Sequence, residues 1–337
     1  MPSLFLLTPG TRAGLCGERL AIEMPPQDPG EPKGLQREVP LRDIEQVIYA
    51  EHVALTTPAL AELMRRNIPV VLTGHGESVL GLCHPPAPHS IARLAQYRHM
   101  QDPAFVQRCA GGWVEAKIVN SRRMLQRLAA NRRQARVDDA LAELASLAQK
   151  CRQAETLDTL RGYEGTAAGR YFEVFGSFFP ETCPFERRSR RPPHNAANAI
   201  LSYAYTLLGV EMECQLHAVG LDPALGLLHE PTDRRPSLAL DMIEPFRAPV
   251  ADALALDLLS HSILQPDLHF ENRDGGVYMD MSGKKRFFVA YERRMEREYL
   301  SEQAQRHTTL RGELHRQALA FKQMVLGNGE YVPFIMN

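Results

Sequence analysis

A chain of 337 residues, 44% apolar and 23% charged, has the composition of a soluble globular protein long enough for about two domains. Its formal charge of −1 excludes a uniformly basic nucleic-acid binder. No apolar run approaches the roughly 18–20 residues that span a bilayer, so no membrane association is expected.

The chain begins MPSLFLLTPG, which has neither a basic leader nor a small-residue cleavage site, so no signal peptide is read there. Strand-like pieces follow: SLFLLT, ERLAIEM with Leu20, Ile22 and Met24 alternating, QREVPL and IEQVIYA. One helix interrupts them. Thr57 suits its N-cap, Pro58 its first position and Asn67 its end, with Leu60, Leu63 and Met64 on one face. IPVVLT and SVLGLC resume the strand pattern. HPPAPHS then places three prolines in four residues, which neither a sheet nor a helix continues through. Beyond it helical periodicity dominates, with helices expected near 91–100, 104–133, 137–153, 164–179, 195–217, 238–262, 287–305 and 310–326. The fold expected is α+β in two domains. A small β-rich domain with one packed helix covers 1–84, a Pro-rich linker 85–90, and a larger all-α domain 91–337.

Cys16, Cys83, Cys109, Cys151, Cys183 and Cys214 stand far apart and form no C-x-x-C. That argues against a zinc site and against a disulfide framework, and for reduced, mostly buried thiols in a cytoplasmic protein. Positive charge is blocky. Residues 122–136 hold six arginines and no acid, RRSRR at 187–191 holds four, and 284–286 reads KKR. Such blocks neutralise phosphates locally, or else solvate helix faces.

Three segments carry candidate chemistry. In GLLHEPTDRRPSLALDMIEPFR (226–247), His229 follows an apolar run, and Asp241 and Glu244 are threaded through Leu238, Leu240, Met242 and Ile243. Residues three apart share a helix face, and two buried carboxylates there call for a cation or base. Carboxylate oxygen plus imidazole nitrogen suits a divalent metal. The same residues also suit a capping box, with Asp241 as N-cap and Glu244 as its N3 partner. In LRGYEGTAAGRYFEVF (160–175), Glu164 stands near an expected helix start, where it could merely complement the dipole. In RRSRRPPHNAANAILSYAYTLLG (187–209), arginines and two prolines lead into a helix bearing Tyr203 and Tyr205.

Taken together, E-G-x-x-A-x-x-Y-F (164–172), R-x-P-P…N-A-x-L-S-x-x-Y (190–205) and G-x-x-H…S-L-x-L-D-x-x-E-x-F-R (226–247) resemble a known family in order and spacing. That family is the CRISPR-associated integrases of spacer acquisition, the first-numbered family of CRISPR-associated proteins. The likeness covers nearly the whole chain, with the specific motifs in the helical part. It implies metal ligation of Mg²⁺ or Mn²⁺ by Glu164, His229 and Glu244. It also implies Asp241 as an auxiliary acid, Arg247 as a basic residue near the phosphate, and Tyr203 or Tyr205 as an active-site tyrosine. The implied activity is endonuclease and integrase chemistry, in which a DNA 3′-OH attacks a phosphodiester of a CRISPR repeat. The implied partners are a prespacer duplex, the repeat, and a second copy through the β-rich domain. A small ferredoxin-like protein, the second-numbered in the series, would join two such homodimers in a heterohexamer. The alternatives are a non-catalytic DNA-binding scaffold of the same architecture and an unrelated metal phosphoesterase.

Overall fold

The structure, a computed structural model, describes residues 3–26, 35–74, 79–85, 90–130, 135–233 and 235–337. By internal contacts the chain divides into two units, Met1–Ala87 and Pro88–Asn337.

The first unit contains β1 (Ser3–Leu6), β2 (Arg12–Cys16), β3 (Arg19–Glu23), β4 (Gln36–Pro40), β5 (Gln46–Ala50), β6 (Ala54–Leu55), α1 (Thr57–Arg65), β7 (Val70–Thr73) and β8 (Val79–Cys83). They form two four-stranded sheets, ordered β1-β5-β7-β8 and β4-β3-β2-β6. Strand β2 was not expected, because R-A-G-L-C alternates weakly. Pairing with β3 defines it, through a tight hairpin in which Gly17 takes φ +57°. Helix α1 starts at Thr57, one residue earlier than expected, with Thr56 in the cap position, and Asn67 leaves the helical path at φ +57°. Ala59 and Leu63 of α1 sit in a core with Leu20, Ile22, Leu41 and Val47. The expected linker at 85–90 falls largely on 86–89, outside the described residues. Strand β8 ends at Cys83 and the next helix starts at Ser90, so among the described residues no helix crosses 80–95.

The second unit begins with α2 (Ser90–His99), α3 (Pro103–Ala129), α4 (Ala135–Cys151), α5 (Leu157–Gly176) and α6 (Ala196–Val219). Helix α3 packs on both α4 and α5. Helix α6 is apolar nearly all round, as a central helix must be. Asn195 caps its start by accepting the Asn198 N–H at 2.8 Å, and Gly220 ends it at φ +84°. The single helix expected over 238–262 is instead four pieces. α7 (Ser237–Ile243) leads into a 3₁₀ turn (Glu244–Phe246), a π-helical stretch (Arg247–Asp252) and α8 (Ala253–Ser260). Pro245 and Pro249 have no N–H to give an α-helical ladder, and the chain changes its hydrogen-bond step where they fall.

Then come α9 (Pro266–His269), β9 (Phe270–Arg273), β10 (Gly276–Met279), α10 (Met281–Met295), β11 (Glu298–Ser301), β12 (Arg306–Thr309) and α11 (Leu310–Val325). The β-rich unit followed by a helical unit is the expected architecture, with two short hairpins added to the part read as all-α. The first hairpin turns at Asp274-Gly275, both at positive φ, a pairing typical of two-residue turns. The second replaces the end of the helix expected over 287–305.

Behind α3 the final segment lies along the core. Phe334 stacks on Phe246 at 4.5 Å between ring centres, and the Tyr331 hydroxyl accepts from Trp113 Nε1 at 2.9 Å. All six cysteines are free thiols, four of them buried. Among the described residues no helix is long and apolar enough to cross a membrane.

Candidate active site

Leu227 and Leu228 are buried and draw the 226–229 loop against α7. A Cβ on Gly226 would lie 2.3 Å from the His229 carbonyl oxygen and 2.5 Å from Ser237 Cβ, so the loop closes this tightly only over glycine. Asp241, fully buried on α7, organises it. One carboxylate oxygen accepts the N–H groups of Leu227 (2.6 Å) and Leu228 (3.0 Å), and the other accepts the N–H of His229 (3.0 Å). His229 Nδ1 lies 2.6 Å from that second oxygen. A carboxylate already accepting three backbone donors acts as an acceptor here too, so Nδ1 is the donor, and Nε2 makes no hydrogen bond among the described residues. Burial pushes the Asp241 carboxyl up, and His229 and the backbone donors pull it part of the way back. The capping-box alternative is overturned. Pro236 precedes α7, Asp241 lies within the helix, and its oxygens serve the 227–229 loop rather than the helix start.

Glu244 opens the 3₁₀ turn and is 2% exposed. Glu164 lies in the middle of α5, which begins after Thr156, so the expected helix-start position and its dipole role do not hold. Between the two carboxylates stands Lys117 of α3. Its Nζ is 2.5 Å from Glu164 Oε1 and 2.7 Å from Glu244 Oε2. Arg247 Nη2 meets the other Glu244 oxygen at 2.8 Å. Burial alone would raise Glu244, but Arg247 and Lys117 outweigh it and hold the carboxyl below its ordinary range. His229 adds to the same effect, which places it within electrostatic reach of Glu244. Three residues along α3, Asn120 donates to the Pro245 carbonyl at 2.7 Å and the Phe334 carbonyl at 2.9 Å, and accepts the Met336 N–H at 2.9 Å. Asn120 therefore pins the Glu244 turn to the helix that carries Lys117.

Deeper in, the Arg247 guanidinium lies 4.6 Å from the centre of the Tyr205 ring, and Arg188 lies 5.4 Å from it. The Tyr205 hydroxyl donates to Asp252 at 2.5 Å. Burial raises Asp252 to about 6, against the pull of Tyr205, Tyr171 and the two arginines. These groups, with Lys117 and Glu164, line a cavity of about 40 Å³ that Arg190 also reaches. Arg188 Nε and Arg247 Nε make no hydrogen bond among the described residues. Tyr205 belongs to this network, and Tyr203 packs edge-on to Phe287 and Phe288.

The basic blocks divide. In 187–191, Arg188 turns inward to Asn198 Oδ1 (2.8 Å) and Ser202 Oγ (2.9 Å), while Arg187, Arg190 and Arg191 are exposed. In 122–136, Arg122 donates to the Leu141 carbonyl, and Arg123 and Arg127 to the carbonyls of Met336 and Asn337. Those three serve the fold; Arg132 and Arg133 lie outside the described residues. Lys284 stands over the Tyr203 ring, with Lys285 and Arg286 exposed.

The donor set fits a hard divalent cation in type. Two carboxylates are already drawn to one positive charge, and an imidazole is held through Nδ1, with Nε2 making no hydrogen bond among the described residues. Among the described residues no three His, Cys, Asp or Glu side chains yet converge closely enough to hold a metal by themselves. The structure brings Glu164 and Glu244 together through an ammonium group.

A family model described as CRISPR associated protein Cas1 matches residues 4–293. The chain belongs to the Cas1 family. A Cas4/Cas1 exonuclease–endonuclease fusion of Rhodospirillum rubrum is 38% identical over 304 residues, 88% of this chain and 50% of that protein. The chain thus spans about half the length of that relative. A CRISPR-associated endonuclease Cas1 of Moorella thermoacetica is 31% identical over 344 residues, 99% of this chain and 98% of its own. A casposase bound to its integration product shares the fold, with a TM-score of 0.84 at 22% identity, over 98% of this chain and 92% of that one.

Proposed function

We propose that this Cas1-family chain is a divalent-metal-dependent DNA integrase and endonuclease that joins the 3′-OH ends of short duplexes to phosphodiesters of a CRISPR repeat. The observation that carries this is the pair Glu164–Glu244, from separate elements, gathered around one positive charge, with His229, held by Asp241, within electrostatic reach of Glu244. Mg²⁺ or Mn²⁺ bound by Glu164, His229 and Glu244 would polarise the scissile phosphate and lower the pKa of a bound hydroxyl. The protein's own groups do the rest. Asp241 holds Nδ1 of the imidazole and leaves Nε2 as the nitrogen that would bind the ion. Arg247, itself set by Glu244 and Tyr205, offers positive charge to phosphate oxygens, and Arg190 extends that charge along the cavity mouth. The names of the relatives support the endonuclease half, and the casposase supports the integrase half.

The partners follow the same resemblance. The β-rich unit forms the homodimer. A small ferredoxin-like second protein joins two dimers into a heterohexamer in the cytoplasm. Among proteins of this fold, one has been solved within a Cas6-RT-Cas1–Cas2 complex and another bound to DNA.

The test is strand transfer of a 3′-OH duplex into a repeat-bearing supercoiled plasmid, with the second protein and Mg²⁺ or Mn²⁺. Glu244→Gln should fold normally, bind DNA and transfer no strands. An active, normally folded Glu244→Gln would remove Glu244 from the site. Wild-type protein that binds DNA but neither cuts nor joins it would favour a DNA-binding scaffold.

A further inference from the structure

Lys117 belongs to none of the motifs that mark this chain, yet it is the only group that touches both Glu164 and Glu244 among the described residues. Its placement is built. Lys117 shares a face of α3 with Trp113 and Asn120, both fully buried. Asn120 clamps the Pro245 carbonyl, so the backbone that carries Lys117 and the turn that carries Glu244 keep a fixed spacing. The side chain is 17% exposed and lies 2.5 and 2.7 Å from the two carboxylates.

The charges balance in this state. Lys117 and Arg247 offset Glu164 and Glu244, one for one. A divalent cation arriving between the same carboxylates would meet an ammonium already holding the oxygens it needs. An ammonium is a compact point charge on a flexible four-carbon stem, able to leave without disturbing the backbone. Arg247, planar and stacked on Tyr205, has no such freedom.

We propose that Lys117 is a displaceable stand-in for the metal. It gathers Glu164 and Glu244 on one positive charge while the site is metal-free, and it yields them when a divalent cation binds. The displaced ammonium stays in the cavity lined by Arg188, Arg190 and Arg247, where a DNA phosphate would neutralise it. Metal loading and phosphate binding therefore assist each other, and DNA raises the affinity for metal. Lys117 is a positioning residue in this scheme. The inference rests on the metal-site reading above.

Mn²⁺ titration followed by electron paramagnetic resonance, with thermal melting, tests it on the full chain. The variants are Lys117→Met, Lys117→Arg and Glu244→Gln, each with and without a short 3′-OH duplex. Lys117→Met should melt lower than wild type without metal and bind Mn²⁺ roughly tenfold or more tightly, about 1.4 kcal/mol, because the competitor is gone. Its Mn²⁺-induced rise in melting temperature should exceed that of wild type. The duplex should tighten Mn²⁺ binding in wild type and less so in Lys117→Met. Lys117→Arg, which keeps a charge in place, should bind Mn²⁺ no more tightly than wild type. If Lys117→Met melts lower by the same amount with and without Mn²⁺ and binds the ion as wild type does, Lys117 is only a structural contact and the proposal is overturned. That result leaves the metal site standing, provided Glu244→Gln has lost Mn²⁺ binding. If wild type and Glu244→Gln bind Mn²⁺ alike, the metal-site reading falls and the proposal with it.

Discussion

Two clusters of charge are embedded in the helical unit, and they are built in opposite ways. Around Arg311 of α11, Glu211 of α6 forms a two-pronged pair at 3.0 Å on each prong. Glu292 adds contacts at 2.6 and 3.2 Å, and Glu296 takes the remaining face. Three carboxylates surround one guanidinium, and each of its three nitrogens is engaged. Around Glu244 the count is two and two, one of the cations is a lysine, and a cavity adjoins. The first arrangement joins three helices and leaves nothing to exchange. The second keeps a removable cation, an arginine with an unused Nε and an imidazole with an unused Nε2. Burial is similar in both, so burial alone does not distinguish a clamp from a reactive centre. The donors left over do.

This contrast can be broken by exchanging the readouts. The largest effect should be on chemistry. Glu164→Gln and Glu244→Gln should each reduce strand transfer by more than the roughly 10- to 100-fold typical of residues that only support a metal ligand. Glu164→Gln should melt close to wild type. Glu244→Gln should melt lower while remaining folded, because Lys117 and Arg247 favour the ionised carboxyl of Glu244. Arg311→Met should do the reverse. Stranding Glu211 with Glu292 should cost about 3–5 kcal/mol in a chemical-denaturation curve. The protein that remains folded should have near-normal specific activity. A stable, inactive Arg311→Met would erase the distinction.

Asp252 sharpens it. Its carboxyl is raised by burial to about 6, above the unfolded range, so the folded state holds the extra proton between about pH 4 and pH 6. Folding stability from this group is therefore full at acid pH and lost as pH rises through about 6, by roughly 2–3 kcal/mol. Asp252→Asn should remove that slope. Urea denaturation of both proteins at pH 4.5 and pH 7.5 checks it, and equal slopes would show that Asp252 ionises freely.

Asp241→Asn should cost about 10- to 100-fold in strand transfer, because the imidazole loses its orienting partner while the ligands remain. The smallest effect belongs to the surface. Changing Arg187, Arg190 and Arg191 together to Ala should weaken DNA binding and reduce the log–log salt slope by about 0.9 per lost phosphate contact. Arg188→Ala should differ in kind, disturbing Tyr205 and Asn198 rather than the slope.

Much of this was legible in the residues. The strand alternation of ERLAIEM, the helical periods after residue 90 and the spacing of the three motifs all lead to the observed elements. What stayed hidden was set by long-range packing. Strand β2 has little pattern of its own and exists because β3 pairs with it. The breaks within 237–260 were foreseeable from Pro245 and Pro249, as was the hairpin from Asp274-Gly275. Helical periodicity on either side outweighed both. At the site, Glu164 looked like a helix-start acid because Gly162 and Gly165 flank it, yet an added Cβ at either glycine meets open space. Lys117 was missed because one lysine in WVEAKIVN looks solvated. Its register, four residues after Trp113, was the available clue that it faces inward.

Asn120 has a consequence for the order in which function appears. Its amide ties the Pro245 carbonyl to the carbonyl of Phe334 and the N–H of Met336. Those tail residues leave the ribosome long after Glu164, His229 and Glu244 have emerged. A growing chain therefore carries every acid of the centre before it has the strap that seats the Glu244 turn. Seating of the Glu244 turn should follow synthesis of residues 334–336, late relative to the acids it positions.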